Sequence, residues 1–234
     1  MDIKQWDATR GAPDQVDIQI DGKVITLTYD PTTQLTSGTH DGKTYYFDYY
    51  SNTQNNSGQT ETVAANIFIL VGDANTGAIS EIAEGVIGFE TPDSVVSAAT
   101  GTANYSGGGE IYYLTSNAWE ISEIQANFAV DFNTSTISGA ISVDDPHVPS
   151  QATGPNTYTF ATISVPQTAL TGNGFSAQPT VTVNNPGANT YTLSNETING
   201  TFYGDSSDFL AGTLSADYTV NGTAGVAVGN YWAR

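Results

Sequence analysis

The most chemically suggestive cluster in this sequence is one histidine followed by a run of aromatic residues. His40 stands just before an Asp-Gly pair, and Tyr45, Tyr46, Tyr49 and Tyr50 come soon after it. An imidazole or a phenolate can ligate haem iron, and aromatic rings can cover the face of a porphyrin. His40, Tyr45, Tyr46 and Tyr49 therefore form a candidate haem-binding group. The alternative is that His40 is a turn residue and that the tyrosines belong to a strand with one face in the core.

Other combinations of polar residues carry weaker signals for chemistry. No G-x-S-x-G nucleophile motif accompanies either histidine, His40 or His147, so we predict no catalytic residues and no enzyme. Residues 73–77 repeat the first half of a calcium loop but lack its later glutamate, which favours a plain turn. Asp144, Asp145 and His147 could share a cation, but the neighbouring prolines favour a rigid surface loop. We predict no metal site.

The charge and the residue content exclude several classes of partner and chemistry. The 234 residues include 24 acidic and only 5 basic ones, which gives a formal net charge of −19. A basic surface cannot be built from this composition, so nucleic acid and anionic membrane surfaces are poor partners, and we predict no nucleic-acid binding. The absence of cysteine excludes disulfides, thiolate metal sites and a cysteine nucleophile.

No segment has the pattern of a membrane span or of a signal peptide. The apolar runs are shorter than the roughly 18 residues that a transmembrane helix needs. Met1 precedes a polar stretch rather than a basic and then an apolar one. The sequence is therefore that of a cytosolic protein or of the mature part of an exported one. Its acidic, cysteine-free composition, rich in Thr, Asn and Gly, favours export.

The residue pattern predicts an all-β fold. The 24 glycines, the 13 tyrosines and the many threonines and asparagines favour strands and tight turns. Asp21-Gly22 and Asp41-Gly42 each separate two alternating segments and predict two successive hairpins, which form a four-stranded antiparallel meander. Residues 64–71 read as a buried strand. Residues 78–89 fit both helical and strand spacing, and their Ile, Val and Gly content favours a strand.

A second domain is predicted beyond a linker. Residues 91–100 are mostly small and include a proline, so we place a boundary there, with domains at residues 1–98 and 99–234. The second domain contains eight to ten short predicted strands, enough for a small closed barrel filled by side chains. Residues 51–62 and 143–156 are polar or proline-rich and are predicted loops. Gly204 is predicted to need a positive φ.

Five segments in a fixed order resemble the β-barrel domain of transferrin-binding protein B and of related bacterial surface lipoproteins and secreted haem carriers. These segments are GTANYSG, FAVDFNTSTISG, GNGF, INGTFYGDSSDFLAGTL and the closing GVAVGNYWAR. The resemblance implies an approximately eight-stranded antiparallel barrel over residues 99–234. It also implies an N-terminal handle of antiparallel strands over residues 1–98. Some secreted relatives hold haem in their N-terminal domain, which suits the position of His40.

The resemblance implies a non-enzymatic binding protein that is extracellular or on the bacterial cell surface. It would capture a host or environmental protein, or haem, for iron acquisition, with an outer-membrane receptor or a secretion system as a further partner. Loops on a rigid scaffold would form the binding surface. We expect that surface at residues 51–62, residues 143–156 and the hairpin of His40. The alternative is a structural or adhesive surface module with the same fold and no small-molecule ligand.

Overall fold

The fold is known from a computed structural model that describes residues 2–7, 12–20, 22–56, 59–116, 118–144, 159–184 and 188–234. The described part of the chain contains sixteen strands and one short helix, so the all-β prediction is confirmed. The first sheet consists of β1 (Asp2–Asp7), β2 (Ala12–Ile20), β3 (Lys23–Asp30), β4 (Leu35–His40), β5 (Lys43–Asn56), β6 (Gln59–Asp73) and β7 (Ile79–Gly88). The helix is α1 (Asp93–Ala98). The second sheet consists of β8 (Thr102–Thr115), β9 (Trp119–Asp131), β10 (Thr136–Asp144), β11 (Thr159–Ala169), β12 (Gly174–Ala177), β13 (Thr180–Val183), β14 (Tyr191–Tyr203), β15 (Phe209–Val220) and β16 (Thr223–Ala233).

The chain divides into two compact units. Unit 1 consists of residues 1–50 and 67–83, and unit 2 consists of residues 51–66 and 84–234. The seven strands of the first sheet follow one another in chain order, so the predicted meander is confirmed for β2 to β5. At the second predicted hairpin, Asp41 and Gly42 both have positive φ, of 48° and 75°, as a two-residue turn of the primed type requires. The core of unit 1 is formed by Val16, Ile18, Ile25, Leu27, Tyr45, Phe47 and Val71.

The polar segment 51–62 is not the loop that its composition predicts. Strand β5 continues to Asn56 and β6 already begins at Gln59, so most of the segment is strand. A β-ladder is made by backbone groups, and threonine favours strands, so a run of polar side chains does not by itself end a strand. The prediction of a strand over residues 78–89 is confirmed by β7.

The segment predicted to be a linker contains helix α1 and packs on the barrel. Six residues are too few for a helix to persist alone, so tertiary contacts must hold it. Val96 is buried in the barrel core. Thr91 is fully buried, and its amide donates to the Phe202 carbonyl at 2.8 Å while its hydroxyl donates to the Gly204 carbonyl at 2.6 Å. Among the described residues, no helix has the length and apolar character needed to cross a membrane.

The second sheet returns on itself through one short stretch of chain. Its strand order is β12-β14-β15-β16-β8-β9-β10-β11-β13. The two outermost strands, β12 and β13, are consecutive and are separated only by Gln178 and Pro179. Residues 174–183 therefore pair first with β14 and then with β11, and together they occupy one strand position. With seven full-length strands, this gives the approximately eight-stranded antiparallel barrel that the sequence predicts.

One barrel strand is longer than its sequence predicts. β8 runs without a break through Gly107, Gly108 and Gly109, which divide it into two predicted strands. A Cβ atom at Gly107 would collide with the carbonyl oxygen of Trp232, and one at Gly109 with that of Asn230, so these two glycines allow close approach of β16 rather than forming a turn. Gly204, in contrast, has a φ of 83°, which confirms the prediction of a positive φ.

One carboxyl group in unit 2 is buried without a partner. Both carboxyl oxygens of Glu84 are inaccessible and make no hydrogen bond. Burial, and then the charge of Glu110, raises the pKa of Glu84 from its ordinary value of 4.5 to about 9. Glu84 is therefore protonated at neutral pH in the folded protein, whereas it is ionised in the unfolded chain.

Stability should consequently fall as pH rises from about 5 to about 8. In this range the folded state keeps a proton on Glu84 that the unfolded state has lost, at a cost of at most about 1.4 kcal/mol per pH unit. Glu84→Gln removes this titration, and urea unfolding at a series of pH values should then show a shallower decline. Glu81→Gln is the matched control, because Glu81 is exposed on the same strand, and it should keep the wild-type slope. Equal slopes for the wild type and Glu84→Gln would contradict the assignment.

The predicted domain boundary can be tested with two fragments. Residues 99–234 should fold with a β-type circular dichroism spectrum, as a barrel domain would. Residues 84–234 should be more stable by about 2–4 kcal/mol, because they keep buried Val96 and the two hydrogen bonds of Thr91. Thermal unfolding of both fragments measures the difference. An unfolded 99–234 fragment would show that the boundary lies before residue 99. Equal melting temperatures of the two fragments would show that residues 84–98 contribute nothing to the stability of the barrel.

Candidate functional site

The end of the β4–β5 hairpin brings His40 together with charged side chains. His40 is the last residue of β4 and lies directly opposite Lys43 in β5. Its Nε2 is 3.3 Å from Lys23 Nζ and 3.2 Å from Asp41 Oδ2, and Lys23 donates to Asp41 at 2.9 Å. Lys43 forms an ion pair with Glu81. The hydrogen bond from Lys23, with the nearby positive charge, holds the pKa of Asp41 below its usual value. The His40 side chain is about one third exposed (35%).

The tyrosines of the candidate haem group are divided between the two faces of the sheet. Tyr45 is buried in the core of unit 1, and Tyr49 packs against that core with its ring stacked on Phe47. Tyr46 points to the opposite face and is half-buried. Because cross-strand partners share a face, His40 lies on the same face as Tyr45 and on the face opposite Tyr46. The structure therefore does not gather the four residues on one accessible surface, and haem binding by this group stays a prediction.

The other polar clusters act as local structure. Asp73 Oδ1 accepts hydrogen bonds from the amides of Asn75 and Thr76 at 3.0 and 2.8 Å, and Gly77 has a φ of 72°. The amide hydrogen bonds from Thr76 and Asn75 hold the pKa of Asp73 below its usual value. This geometry is the plain turn that the sequence favours. Among the described residues, no three His, Asp or Glu side chains are close enough to share a metal ion.

Part of the predicted loop surface consists of strands. Val143 and Asp144 belong to strand β10, and most of residues 51–62 belong to β5 and β6. Burial, and then the charge of Glu123, raises the pKa of Asp144. Asp145, His147 and the rest of the predicted loop 143–156 lie outside the described residues. The hairpin end at His40 is the part of the predicted surface that the structure describes as a turn.

A loop that the sequence analysis does not single out presents an exposed aromatic ring. Phe89 follows β7 and is 79% exposed. Its carbonyl accepts a hydrogen bond from the amide of Gly204 at 2.8 Å, which ties it to the turn between β14 and β15. That turn is itself held by Tyr105, whose hydroxyl donates to the Ser207 carbonyl at 2.6 Å. The sequence signal for this site is an aromatic residue directly before a charged one, with a proline three residues after the aromatic.

The barrel interior holds a cavity of about 440 Å³. The sequence predicts a barrel filled by side chains. This is correct for the core around Phe128 and Phe202, but the part of the barrel that contains the cavity is not filled. The cavity is bordered by an aromatic group consisting of Tyr113, Phe160, Tyr191 and Tyr218. Repeated tyrosines near strand ends are the signal that sequence reasoning missed.

Comparisons with solved structures support the fold. Transferrin-binding protein B from Haemophilus parasuis superposes with a TM-score of 0.53 at 18% identity, over 93% of this chain and 40% of that one. The structure of intact Ap-TbpB, with its N and C lobes, gives a TM-score of 0.53 at 17% identity, over 93% and 41% of the two chains. This chain therefore spans about two fifths of the length of these structures. A search of curated proteins gave no match.

A family model described as the C-lobe and N-lobe β-barrels of Tf-binding protein B matches residues 98–230. The match covers more than half of the chain and coincides with β8 to β16, whose nine strands form the barrel. It confirms the resemblance noted in the sequence. Because the family consists of binding proteins, it also confirms the prediction that the protein is not an enzyme. The chain belongs to the family of transferrin-binding protein B β-barrels.

Proposed function

We propose that this protein is a bacterial binding protein, extracellular or on the cell surface, that captures a host or environmental protein for iron acquisition. The observation that carries the proposal is the match of residues 98–230 to the barrels of a transferrin-binding protein. Capture requires no catalytic residue, since a rigid barrel that presents loops is sufficient. A receptor in the outer membrane would take the iron onward from the captured protein.

The exposed ring of Phe89 supports a protein partner. Large aromatic side chains at the centre of a contact surface supply much of the binding energy in protein complexes, and a ring held in place before binding loses little entropy. Phe89 is the most exposed large apolar side chain in the described part of the chain. Its backbone hydrogen bond to Gly204 and the neighbouring buried Thr91 fix the loop that carries it.

The charges near Phe89 indicate what the partner must present. Glu90 follows it directly, and exposed Asp205 and Asp208 lie in the turn to which Phe89 is tied. With a chain net charge of −19, these groups favour a partner surface that carries lysine or arginine around an apolar recess. Long-range attraction of this kind speeds association and is weakened by salt.

Binding of immobilised protein to iron-loaded serum transferrin, and separately to haemoglobin, tests the proposal. We expect one of the two to bind, with an association rate that falls several-fold between low and physiological salt. Phe89→Ala should weaken binding at least tenfold, since buried aromatic anchors commonly contribute 2 kcal/mol or more, about a factor of thirty. Leu35→Ala is the matched control, because Leu35 is also exposed but lies in unit 1. Binding of neither protein would favour the adhesive alternative.

A second candidate function is haem binding at the end of the β4–β5 hairpin. The observation in its favour is an accessible imidazole at His40 with two lysines at the same end of the sheet, Lys23 and Lys43. Both lysines pair with carboxylates in this structure, so they would exchange Asp41 and Glu81 for the haem propionates, while His40 would ligate the iron. The tyrosines contribute less than the sequence predicts, because Tyr45 lies in the core.

Titration with haemin tests this second function. The wild type should develop a Soret band distinct from that of free haemin, and His40→Ala should abolish or shift the band. His147→Ala is the control and should leave it unchanged. Binding should weaken on acidification, because only the neutral imidazole ligates iron. A wild-type spectrum identical to that of free haemin would exclude the site.

A further inference from the structure

Two strand irregularities border the cavity of the barrel, and each changes which side chains point inward. The first lies in β14. Ser194 pairs with Asp217 and Thr197 pairs with Ser215, so β14 has one residue more than β15 across this interval. Asn195 sits in the bulge with a φ of 56°, and its side-chain amide donates to Asp217 at 2.6 Å.

The bulge in β14 is what brings an aromatic residue into the cavity. After the bulge, even-numbered residues face the barrel core, as buried Ile198 and Phe202 show. Before it, odd-numbered residues line the cavity, namely Tyr191 and Leu193. Side chains alternate strictly along a regular strand, so without the extra residue Tyr191 and Leu193 would point outward.

The second irregularity has the same effect in β11. Val143 of β10 pairs with Ala161, whereas its neighbour Asp144 pairs with Thr159, so Phe160 is the extra residue. Phe160 lines the cavity together with Ala161, although consecutive strand residues normally face opposite sides. Its ring meets Tyr113 and Tyr191 edge to face, with centroids 6.4 and 5.5 Å apart. Bulges of this kind recur next to binding sites, where they re-aim a side chain.

The chemistry of the cavity wall selects by polarity and charge. Its deeper part is aliphatic, with Ile111, Ile163, Leu214 and Ala227, and its aromatic group adds three phenols. The charged lining residues are both acidic, Glu120 and Glu196, and the described lining contains no lysine or arginine. Burial raises the pKa of the Tyr113 phenol above its usual range and, with the charge of Glu120, that of Tyr218 to about 12, so both phenols stay neutral.

We propose that the barrel cavity is a binding site for a neutral or cationic apolar small molecule that contains an aromatic ring. The volume of about 440 Å³ lies within the range of small-molecule pockets. The aromatic group stacks on the ring of the ligand, the phenols meet its polar atoms, and the two carboxylates repel anions such as fatty acids. This site is separate from the proposed capture surface at Phe89 and does not depend on that function.

A pair of fluorescent probes with one ring skeleton tests both the site and its charge preference. N-phenyl-1-naphthylamine is neutral and becomes bright in an apolar site, and 8-anilinonaphthalene-1-sulfonate adds only a sulfonate. Titrated into the full chain, the neutral probe should give saturable enhancement with a stoichiometry of one. The anionic probe should bind at least tenfold more weakly. Absence of enhancement with the neutral probe, or equal affinity for both, would overturn the proposal.

A substitution that fills the cavity locates the bound probe. Val181 lines the cavity in the short strand β13 and is half-buried, so Val181→Trp should fill the space and abolish enhancement. Val226→Trp is the matched control, because Val226 is exposed and does not line the cavity, and it should keep wild-type affinity. Binding to Val181→Trp with wild-type affinity would place the probe elsewhere and refute the site.

A milder variant covers the case in which Val181→Trp does not fold. Tyr191→Phe keeps the ring and removes only its hydroxyl, whereas Tyr191→Ala removes the ring. Affinity for the neutral probe should fall at least tenfold in Tyr191→Ala and less than threefold in Tyr191→Phe. Unchanged affinity in Tyr191→Ala, with a melting temperature close to that of the wild type, would contradict the role of the aromatic group.

Discussion

The barrel is organised around a single fully buried phenol. Tyr231, near the end of β16, has its ring 5.1 Å from that of Phe128 and donates a hydrogen bond from its hydroxyl to the Asn199 carbonyl at 2.9 Å. Gly200 and Gly212 face each other across β14 and β15, and a Cβ atom on either would strike the Tyr231 hydroxyl. A buried hydroxyl without a partner costs about 1–3 kcal/mol. The Asn199 carbonyl avoids this cost by accepting the hydrogen bond, and the two glycines leave room for the hydroxyl. Gly200 and Gly212 are thus a packing requirement of one ring.

Sequence reasoning predicts the parts of the fold that are determined locally. Asp41-Gly42 forms the hairpin turn because few residue pairs accept two positive φ values in succession. The strand over β7 follows from its Ile and Val content. The triple glycine in β8 is misleading, since two of its members, Gly107 and Gly109, make room for the backbone of β16 more than a hundred residues away. Helix α1 is likewise unpredictable from its small residues, because the barrel core buries Val96 and the sequence alone does not reveal that contact.

The candidate sites show the same division between local and distant causes. The run Tyr45 to Tyr49 is conspicuous in sequence, yet strand alternation sends Tyr45 into the core and Tyr46 to the other face. The aromatic group of the barrel cavity comes from four strands and has no local signature. Two of its members reach the cavity through bulges, and a bulge reverses the face of every residue beyond it. The sequence pattern predicts where the strands lie, but one extra residue in a strand decides which side chains face the barrel interior.

The stretch that closes the barrel, residues 174–183, has a mechanical consequence. In the ladders that the structure defines, β12 is hydrogen-bonded to β14 and β13 to β11, and neither short strand is paired along both edges. Each of the seven long barrel strands must break two ladders to detach. By contrast, β12 and β13 must each break only one ladder of four residue pairs. Local opening costs least where the fewest hydrogen bonds are lost. The barrel wall is therefore weakest along residues 174–183, and Pro179 and Val181 in this stretch also border the cavity.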